Sequence, residues 1–247
     1  MQFLENIFQT ICENLLPTAC ITCQEFQKFS ICNACLNSLK RDALFNYQCC
    51  YQCGIALQAA ELIEQRCAPC QSTQPLFDET FCLDRYEGML KTPLHELKYR
   101  KRIAFANALG NTWNLLIGKE LENTPADYLL PVPLSTQKLA QRGFNQSWEL
   151  AKRIECAKHI QKSPNILQRR HYFGHQAGSS RGSRHSAIRD MFYIEAKYMQ
   201  NLKDKSVVVF DDVMTSGATL NEIARVLKDN GVSRVINWVL LRAARPI

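Results

Sequence analysis

The sequence has no long uncharged hydrophobic segment. Its longest apolar runs, such as Val207–Phe210 and Trp238–Leu241, are far shorter than the roughly 20 residues that span a bilayer, so we expect no membrane insertion. Residues 1–17 carry Glu5 and Glu13 and no basic leader. This composition argues against a secretory signal and indicates a short amphipathic helix in a cytoplasmic protein.

The chain also lacks the common glycine-rich nucleotide motifs. No G-x-x-x-x-G-K-[ST] segment is present, which excludes a P-loop. No G-x-G-x-x-G segment follows a predicted strand, which excludes an ordinary dinucleotide fold. A nucleotide or sugar phosphate would therefore have to bind to a different kind of loop.

The net charge of +7 is carried by the second part of the chain. Residues 1–80 hold 4 Lys and Arg against 8 Asp and Glu, which leaves 26 against 15, or +11, in residues 81–247. Such an excess attracts phosphorylated ligands and nucleic acids. A solvated surface with lysine-rich helices explains the same excess, so the charge alone selects no ligand.

Cysteine spacing indicates metal binding. Twelve cysteines would suggest disulfides in a small secreted domain, but a chain of 247 residues is not small. Two cysteines separated by two residues turn both thiolates toward one ion, and two such doublets complete a four-cysteine zinc site. We expect two structural zinc sites, with either sequential or interleaved pairing of four doublets. The doublets are Cys20 and Cys23, Cys32 and Cys35, Cys50 and Cys53, and Cys67 and Cys70.

A domain boundary is expected after the last doublet. The segment Gln71–Thr80 is polar and contains proline, which is typical of a linker. We therefore divide the chain into an N-terminal helix with a double zinc-binding module, residues 1–80, and a second domain, residues 81–247. Zinc is expected to fold the module, because a segment as short as residues 17–70 rarely stabilises itself with a hydrophobic core alone.

The second domain alternates strand and helix patterns. This alternation predicts an α/β fold with a doubly wound, largely parallel sheet and helices on both faces. Ligands of such sheets bind beyond the carboxyl ends of the strands. The expected strands are Asp127–Leu134, Ser206–Phe210 and Val235–Leu241, and the expected helices are Gln146–Cys156 and Leu220–Asn230.

The segment Val207–Thr219, VVVFDDVMTSGAT, predicts a phosphate-binding site. A buried strand leads to Asp211 and Asp212, and the loop Thr215–Thr219, with its glycine and hydroxyl groups, precedes a helix. Backbone N–H groups and the positive end of a helix converge on an anion in such a loop. The paired aspartates should raise each other's pKa when the site is empty, and they suit ribose hydroxyls near a Mg²⁺-bound ligand. The pattern therefore indicates a ribose phosphate.

The same segment resembles the signature of type I phosphoribosyltransferases. Over nearly its whole length the chain is similar to the ComF family, in which a cysteine-rich module precedes a phosphoribosyltransferase-type domain. Besides the doublets, the motifs that carry this resemblance are YEG at 86–88, LKY at 97–99, PVPL at 131–134, RGFNQ at 142–146 and the segment Gln176–Phe192, which resembles the family's segment over the active site.

The resemblance implies a site for phosphoribosyl pyrophosphate with Mg²⁺. Asp211 and Asp212 would bind the ribose hydroxyls. The residues that would bind the 5′-phosphate are Thr215, Ser216, Gly217, Ala218 and Thr219.

The resemblance also assigns candidates around the pyrophosphate. Pro133 and Leu134 belong to the segment that would meet the pyrophosphate and Mg²⁺, although proline supplies no N–H donor. Arg142 is the candidate cation for the pyrophosphate and joins the two aspartates in the expected catalytic set; a solvated arginine at a helix start is the alternative. Lys98 is a further ligand-binding candidate, and a surface lysine on a helix is an equal interpretation.

Two classes of function follow. One is an enzyme that transfers a 5-phosphoribosyl group to an unknown acceptor, with Mg²⁺ and Arg142 stabilising the leaving pyrophosphate. The other is a non-catalytic accessory that binds single-stranded DNA through Tyr172 and Phe173 beside Arg169 and Arg170, or that senses phosphoribosyl pyrophosphate in the same pocket. ComF relatives are associated with natural competence, so the resemblance implies the DNA-uptake machinery as a partner.

Overall fold

A computed structural model of the chain describes residues 18–170 and 189–244. The expected N-terminal helix, the aromatic pair Tyr172 and Phe173, and most of the segment Gln176–Phe192 lie outside the described residues. Among the described helices, none is long and apolar enough to cross a bilayer.

The described residues form nine strands, eight α-helices and three short 3-10 helices. The strands are β1 (Thr18–Ala19), β2 (Phe26–Gln27), β3 (Glu79–Arg85), β4 (Tyr128–Pro131), β5 (Gln161–Lys162), β6 (Leu167–Arg169), β7 (Phe192–Ile194), β8 (Ser206–Met214) and β9 (Arg234–Arg242). The α-helices are α1 (Asn33–Asp42), α2 (Ala68–Ser72), α3 (Lys91–Arg100), α4 (Ala104–Leu121), α5 (Thr136–Arg142), α6 (Gln146–Ala151), α7 (Met199–Leu202) and α8 (Ala218–Asp229). The 3-10 helices are Leu44–Asn46, Ala59–Glu61 and Ala196–Tyr198.

Five strands form a central sheet in the order β3-β9-β8-β4-β5, and all neighbouring strands in it run parallel. The predicted α/β fold with a largely parallel sheet is confirmed. The predicted strands differ at their ends: β4 is shorter and ends at Pro131, β9 is longer by one residue at each end, and β8 is longer at its C-terminal end. β8 continues past Phe210 to Met214, because its pairing with β9 continues until Met214 lies opposite Arg242.

Alternate residues of β8 point to opposite faces of the sheet, as the period of two in a strand requires. Val208 and Phe210 belong to the core on the α4 face, where the Trp113 ring meets the Phe210 ring edge-on with 5.6 Å between centroids. Val207 and Val209 belong to the core on the α8 face. Helices thus cover both faces, and the strand is buried on each side.

The cysteine-rich module covers β3, which is an edge strand of the sheet. The Thr80 N–H donates to the Tyr51 carbonyl oxygen at 2.8 Å, and the Leu44 N–H donates to Asp84 Oδ1 at 3.2 Å. An open edge strand offers unpaired backbone groups to other chains, and a covering element removes that liability. The module and the sheet therefore share an interface at the level of the backbone.

Candidate functional site

The site lies at the edge of the sheet where β4 and β8 end side by side. The Val132 N–H donates to the Phe210 carbonyl oxygen at 2.9 Å, and Asn145 Nδ2 donates to the Val132 carbonyl oxygen at 3.0 Å. Asn145 also caps α6, because its Oδ1 accepts from the Ser147 N–H at 3.0 Å. The start of α6 is thereby held against the aspartates of β8.

Asp212 is buried, with 3% of its surface exposed, and its two oxygens have different partners. Oδ1 accepts a hydrogen bond from Gln146 Nε2 at 2.7 Å and lies 3.3 Å from the Ser147 hydroxyl. Oδ2 forms an ion pair with Lys98. A buried carboxylate requires such partners, because an unpaired buried charge is costly.

Asp211 shares the Ser147 hydroxyl with its neighbour. The distance from Ser147 Oγ to Asp211 Oδ1 is 3.3 Å, and the same carboxylate oxygen accepts from the Asp212 N–H at 2.9 Å. Burial, together with the negative charge of Asp212, raises the pKa of Asp211 to about 8, against a counteracting attraction from Lys98. Asp211 is therefore largely protonated at neutral pH in the ligand-free protein.

Two cations flank the aspartates. Lys98, on α3, has only 15% of its side chain exposed. Arg142 contacts Gln146 Oε1 through its Nη1 and lies with its guanidinium carbon 5.8 Å from the centre of the Tyr99 ring. Arg142 ends α5 and does not start a helix, because Gly143 follows it with a φ of 87° that terminates the helix. The contacts run in a chain from Arg142 through Gln146 to Asp212 and Lys98.

The loop after β8 presents backbone donors. Thr215 and Ser216 are exposed, and Gly217 has a φ of 81° and caps α8. Ser216 Oγ accepts from the Ala218 N–H at 3.4 Å. The described residues supply no acceptor for the N–H groups of Thr215, Ser216 and Gly217. Free N–H groups at a helix N-terminus are suited to an anion.

Pro133 and Leu134 follow β4 on the same edge of the sheet and lead into α5, which Ser135 caps by accepting from the Lys138 N–H at 3.3 Å. Pro133 is buried and Leu134 is half-buried. The loop thus adjoins the aspartates through β4 and β8. The sequence predicts a strand that continues to Leu134, but β4 ends at Pro131.

The cysteine doublets meet in sequential order. The Sγ atoms within each tetrad lie within 4.8 Å of one another. A tetrahedral zinc ion with Zn–S bonds of about 2.3 Å needs sulfurs about 3.8 Å apart, and the distances are 3.7 Å for Cys23 to Cys32 and 3.5 Å for Cys53 to Cys67. Both sets of four sulfurs fit a zinc ion with no open position. Tetrad 1 is Cys20, Cys23, Cys32 and Cys35, and tetrad 2 is Cys50, Cys53, Cys67 and Cys70.

Tetrad 2 is fully buried and borders the loop after β8, whereas Cys23 of tetrad 1 is exposed. A cavity of about 460 Å³ separates tetrad 2 from this loop, with Cys53, Cys70, Thr73, Ser216 and Gly217 in its lining. Contacts from the thiols of Cys53 and Cys70 lower the pKa of Cys50, and the same contacts with Cys50 raise the pKa of Cys53 and Cys70.

Arg169 and Arg170, the two arginines that the sequence analysis assigns to DNA binding, contact aromatic rings of the protein itself. Arg169 lies over the Phe192 ring with 5.6 Å to its centre, and Arg170 lies over the Tyr193 ring at 5.3 Å. These contacts join the ends of the antiparallel strands β6 and β7. The described part of the chain therefore gives each arginine an aromatic partner on β7.

Sequence reasoning did not single out Ser147 or Arg242. Ser147 directly follows the RGFNQ motif, and its place beside that motif is the sequence feature that points to it. Arg242 is a charged residue at the end of a buried strand, which is an unusual place for a charge. Its partners, however, cannot be predicted from the sequence, because Cys53 and Thr215 are far from Arg242 along the chain.

A family model described as a phosphoribosyl transferase domain matches residues 150–246. The matched range includes Asp211, Asp212 and the loop at 215–219. It does not include Lys98 or Arg142, which the fold brings to the same edge.

Two relatives are similar to the chain over nearly its full length. Competence protein F of Haemophilus influenzae is 26% identical over 237 residues, which cover 93% of this chain and 99% of the relative. DNA utilization protein YhgH of Escherichia coli O157:H7 is 27% identical over 233 residues, which cover 92% of this chain and 98% of the relative. Among solved structures, a hypoxanthine phosphoribosyltransferase from Staphylococcus aureus matches with a TM-score of 0.33 and 14% identity, covering 57% of this chain and 68% of that one.

Proposed function

We propose that this chain, which is similar to competence protein F and carries two cysteine tetrads beside a phosphoribosyltransferase-type domain, binds phosphoribosyl pyrophosphate together with Mg²⁺. The observation that carries the proposal is the convergence of two cations, the buried Asp212 and the half-buried Asp211 beside a loop whose N–H groups have no acceptor among the described residues. Acidic oxygens suit ribose hydroxyls and Mg²⁺, and the loop and cations suit the phosphates.

Each part of the ligand has a proposed partner. Asp211 and Asp212 would accept hydrogen bonds from the ribose hydroxyls, and the loop at 215–219 would bind the 5′-phosphate. Lys98 and Arg142 would bind the pyrophosphate, and Lys98 would leave Asp212 to do so. The loop that contains Pro133 and Leu134 would border the pyrophosphate and Mg²⁺, which neutralises phosphate charge when bound.

Calorimetry with Asp212→Asn tests this proposal. The variant removes a charge that Lys98, Gln146 and the ligand share, and we expect it to bind Mg²⁺ and phosphoribosyl pyrophosphate about tenfold more weakly or worse, the usual range for a lost charged hydrogen bond. Asp204→Asn is the matched control, because Asp204 is an exposed aspartate far from these contacts. Wild-type protein without affinity for the ligand at millimolar concentration would refute the proposal.

Transfer of the phosphoribosyl group is the reaction that this site would support, with Arg142 stabilising the negative charge of the leaving pyrophosphate. Pyrophosphate release in the presence of a panel of nucleobases measures it. We expect release to fall in Arg142→Gln while ligand binding is retained in part. Binding without release for every acceptor would instead indicate a sensor of the ligand.

A second candidate function is binding of single-stranded DNA. It is favoured by the names of the two relatives, which refer to competence and DNA utilization, and by Tyr99, which is 62% exposed beside Arg142 and could stack on a base. Affinity for an oligonucleotide should fall steeply as salt rises and should weaken in Tyr99→Ala. Binding that is absent at low salt would exclude this function. Partners in DNA uptake would follow from the same function.

We further propose that both tetrads hold structural zinc and that the protein is cytoplasmic. The described cysteines form no disulfide, and reduced thiols persist in the reducing cytosol. Metal analysis of purified protein should give two zinc ions per chain, one for each tetrad.

A further inference from the structure

Arg242, the last residue of β9, is a buried cation, and no carboxylate of residues 18–170 or 189–244 pairs with it. Only 7% of its surface is exposed, and in the described part of the chain its hydrogen bonds go to backbone carbonyl oxygens. A buried charge normally has an opposite charge beside it, since burial without one is costly. The position of this cation therefore needs an explanation.

The guanidinium joins two parts of the molecule that are distant in sequence. On one side Nε donates to the Cys53 carbonyl oxygen at 2.8 Å, and Cys53 is a member of tetrad 2. On the other side Nη1 lies 3.1 Å from the Met214 carbonyl oxygen and 2.5 Å from the Thr215 carbonyl oxygen. The side chain of Arg242 thus connects tetrad 2 with the loop after β8.

These contacts hold the direction of two peptide units at the end of β8 and the start of the loop. The Met214 carbonyl oxygen also accepts from the Ala243 N–H at 3.0 Å, whereas the hydrogen bond to the Thr215 carbonyl oxygen comes from Arg242. In a trans peptide the N–H and the C=O of one unit point in opposite directions. Because the carbonyls of Met214 and Thr215 point toward Arg242, the N–H groups of Thr215 and Ser216 point away from it. Both residues are exposed, and the described residues offer these N–H groups no acceptor. The donors are held ready for an anion from outside.

We propose that Arg242 is a positioning residue, which orients the N–H groups of Thr215 and Ser216 toward a phosphate and makes their orientation depend on tetrad 2 through Cys53. This inference rests on the proposed binding of phosphoribosyl pyrophosphate. It gives the metal module a role at the ligand site beyond folding.

The test compares two ligand fragments in Arg242→Met. Ribose 5-phosphate requires the loop, whereas magnesium pyrophosphate requires Lys98 and Arg142. We expect the variant to bind ribose 5-phosphate about tenfold to hundredfold more weakly, the range for lost hydrogen bonds from a charged donor, and to bind magnesium pyrophosphate within about twofold of wild type. Arg234→Met is the matched control, because Arg234 starts the same strand and pairs with Glu79 far from the loop.

Unchanged binding of ribose 5-phosphate in Arg242→Met would overturn the inference. So would equal weakening of both fragments or loss of zinc, since these results indicate a general folding role. If Arg242→Met does not fold, Arg242→Lys takes its place, and the same binding results are expected. Lysine keeps the charge but lacks the branched guanidinium that reaches both Cys53 and Thr215. Wild-type protein that binds neither fragment nor phosphoribosyl pyrophosphate refutes the proposed function itself, whereas wild-type protein that binds phosphoribosyl pyrophosphate but not ribose 5-phosphate overturns only this inference.

The dependence on tetrad 2 has its own measurement. With Co²⁺ in place of zinc, absorption by the cobalt thiolates reports on the geometry of the tetrads. We expect ribose 5-phosphate to change this spectrum in wild type and to leave it unchanged in Arg242→Met. A wild-type spectrum that does not respond at saturating ribose 5-phosphate would overturn the connection to tetrad 2.

Discussion

The protonation of Asp211 determines how the ligand-free site responds to pH. Its pKa is raised from 3.8 to about 8, so folded protein holds a proton there that unfolded protein releases between these values. The contribution of Asp211 to the free energy of unfolding should therefore fall as pH rises from about 4 to about 8. Urea unfolding at several pH values, with Asp211→Asn as the control that lacks this trend, measures the effect.

Ligand affinity should show the opposite pH dependence. If the ionised Asp211 binds the ribose and Mg²⁺ as proposed, affinity for phosphoribosyl pyrophosphate should rise as pH rises toward about 8 and then level off. Calorimetry in two buffers of different ionisation enthalpy measures the number of protons that are released on binding. Because the phosphates of the ligand also release or take up protons, the number for Asp211→Asn is subtracted from the number for wild type. A difference of zero would contradict the assignment.

The aspartates and the loop could be predicted from the sequence, because a strand, two acids and a glycine loop are contiguous in it. The partners of the aspartates could not be predicted with the same detail. Lys98 meets Asp212 only because α3 folds over the edge of the sheet, and Ser147 bridges both acids only because Asn145 ties α6 to β4. Such contacts depend on tertiary packing.

Among the elements, the predicted strands were found with different ends, and one helix is shorter than predicted. α6 ends at Ala151 and does not reach Cys156. The cause is Asn114 of α4, whose side chain accepts from the Glu155 N–H at 2.9 Å and donates to the Arg153 carbonyl oxygen at 3.0 Å. A side chain from another helix thus replaces the hydrogen bonds that would continue α6.

The turn that carries tetrad 2 depends on Gly54. Its φ is 68°, and a Cβ there would lie 2.4 Å from Cys82 Sγ and 3.3 Å from Thr80 Cγ2 on β3. Gly54→Ala should lower the free energy of unfolding by about 2 kcal/mol or more, from backbone strain and overlap together. Chemical denaturation measures the loss.

Gly118→Ala provides the comparison for this change. Gly118 lies inside α4, and a Cβ there would meet only Asn114 Cβ at 3.7 Å, an ordinary contact distance. Since alanine is the better helix former, this variant should be neutral or more stable by up to about 1 kcal/mol. Equal effects of the two substitutions would contradict the packing of the turn against β3.

Across the whole molecule, the cores of the module and of the second domain are continuous. The cysteines of tetrad 2 pack in one cluster with Val207, Val209 and Ile223 of the second domain, and Cys20, Cys32 and Cys35 pack in the other cluster with Trp113. The domain boundary at residue 80 stays a prediction. Strand β3 of the central sheet begins at Glu79, one residue before that boundary. The sequence pattern of cysteines does not indicate how closely the module packs on the sheet.

Removal of zinc should therefore destabilise the whole chain in one step. A zinc ion in each tetrad would contribute on the order of 10 kcal/mol of apparent binding energy, and its loss would uncover edge strand β3. We expect a strong chelator to lower the Tm on the order of 10 °C or more, with tryptophan fluorescence of the sheet core and far-ultraviolet circular dichroism changing together. Two separate transitions would instead show that the module unfolds independently.

The most direct measurement of the central claim is a crystal structure with Mg²⁺ and phosphoribosyl pyrophosphate. We expect the 5′-phosphate within about 3 Å of the N–H groups of the loop at 215–219, the ribose hydroxyls on Asp211 and Asp212, and the pyrophosphate on Lys98 and Arg142. Lys98 should then no longer be paired with Asp212. A ligand bound elsewhere, or no ligand at the edge of β4 and β8 at saturating concentration, would contradict the claim.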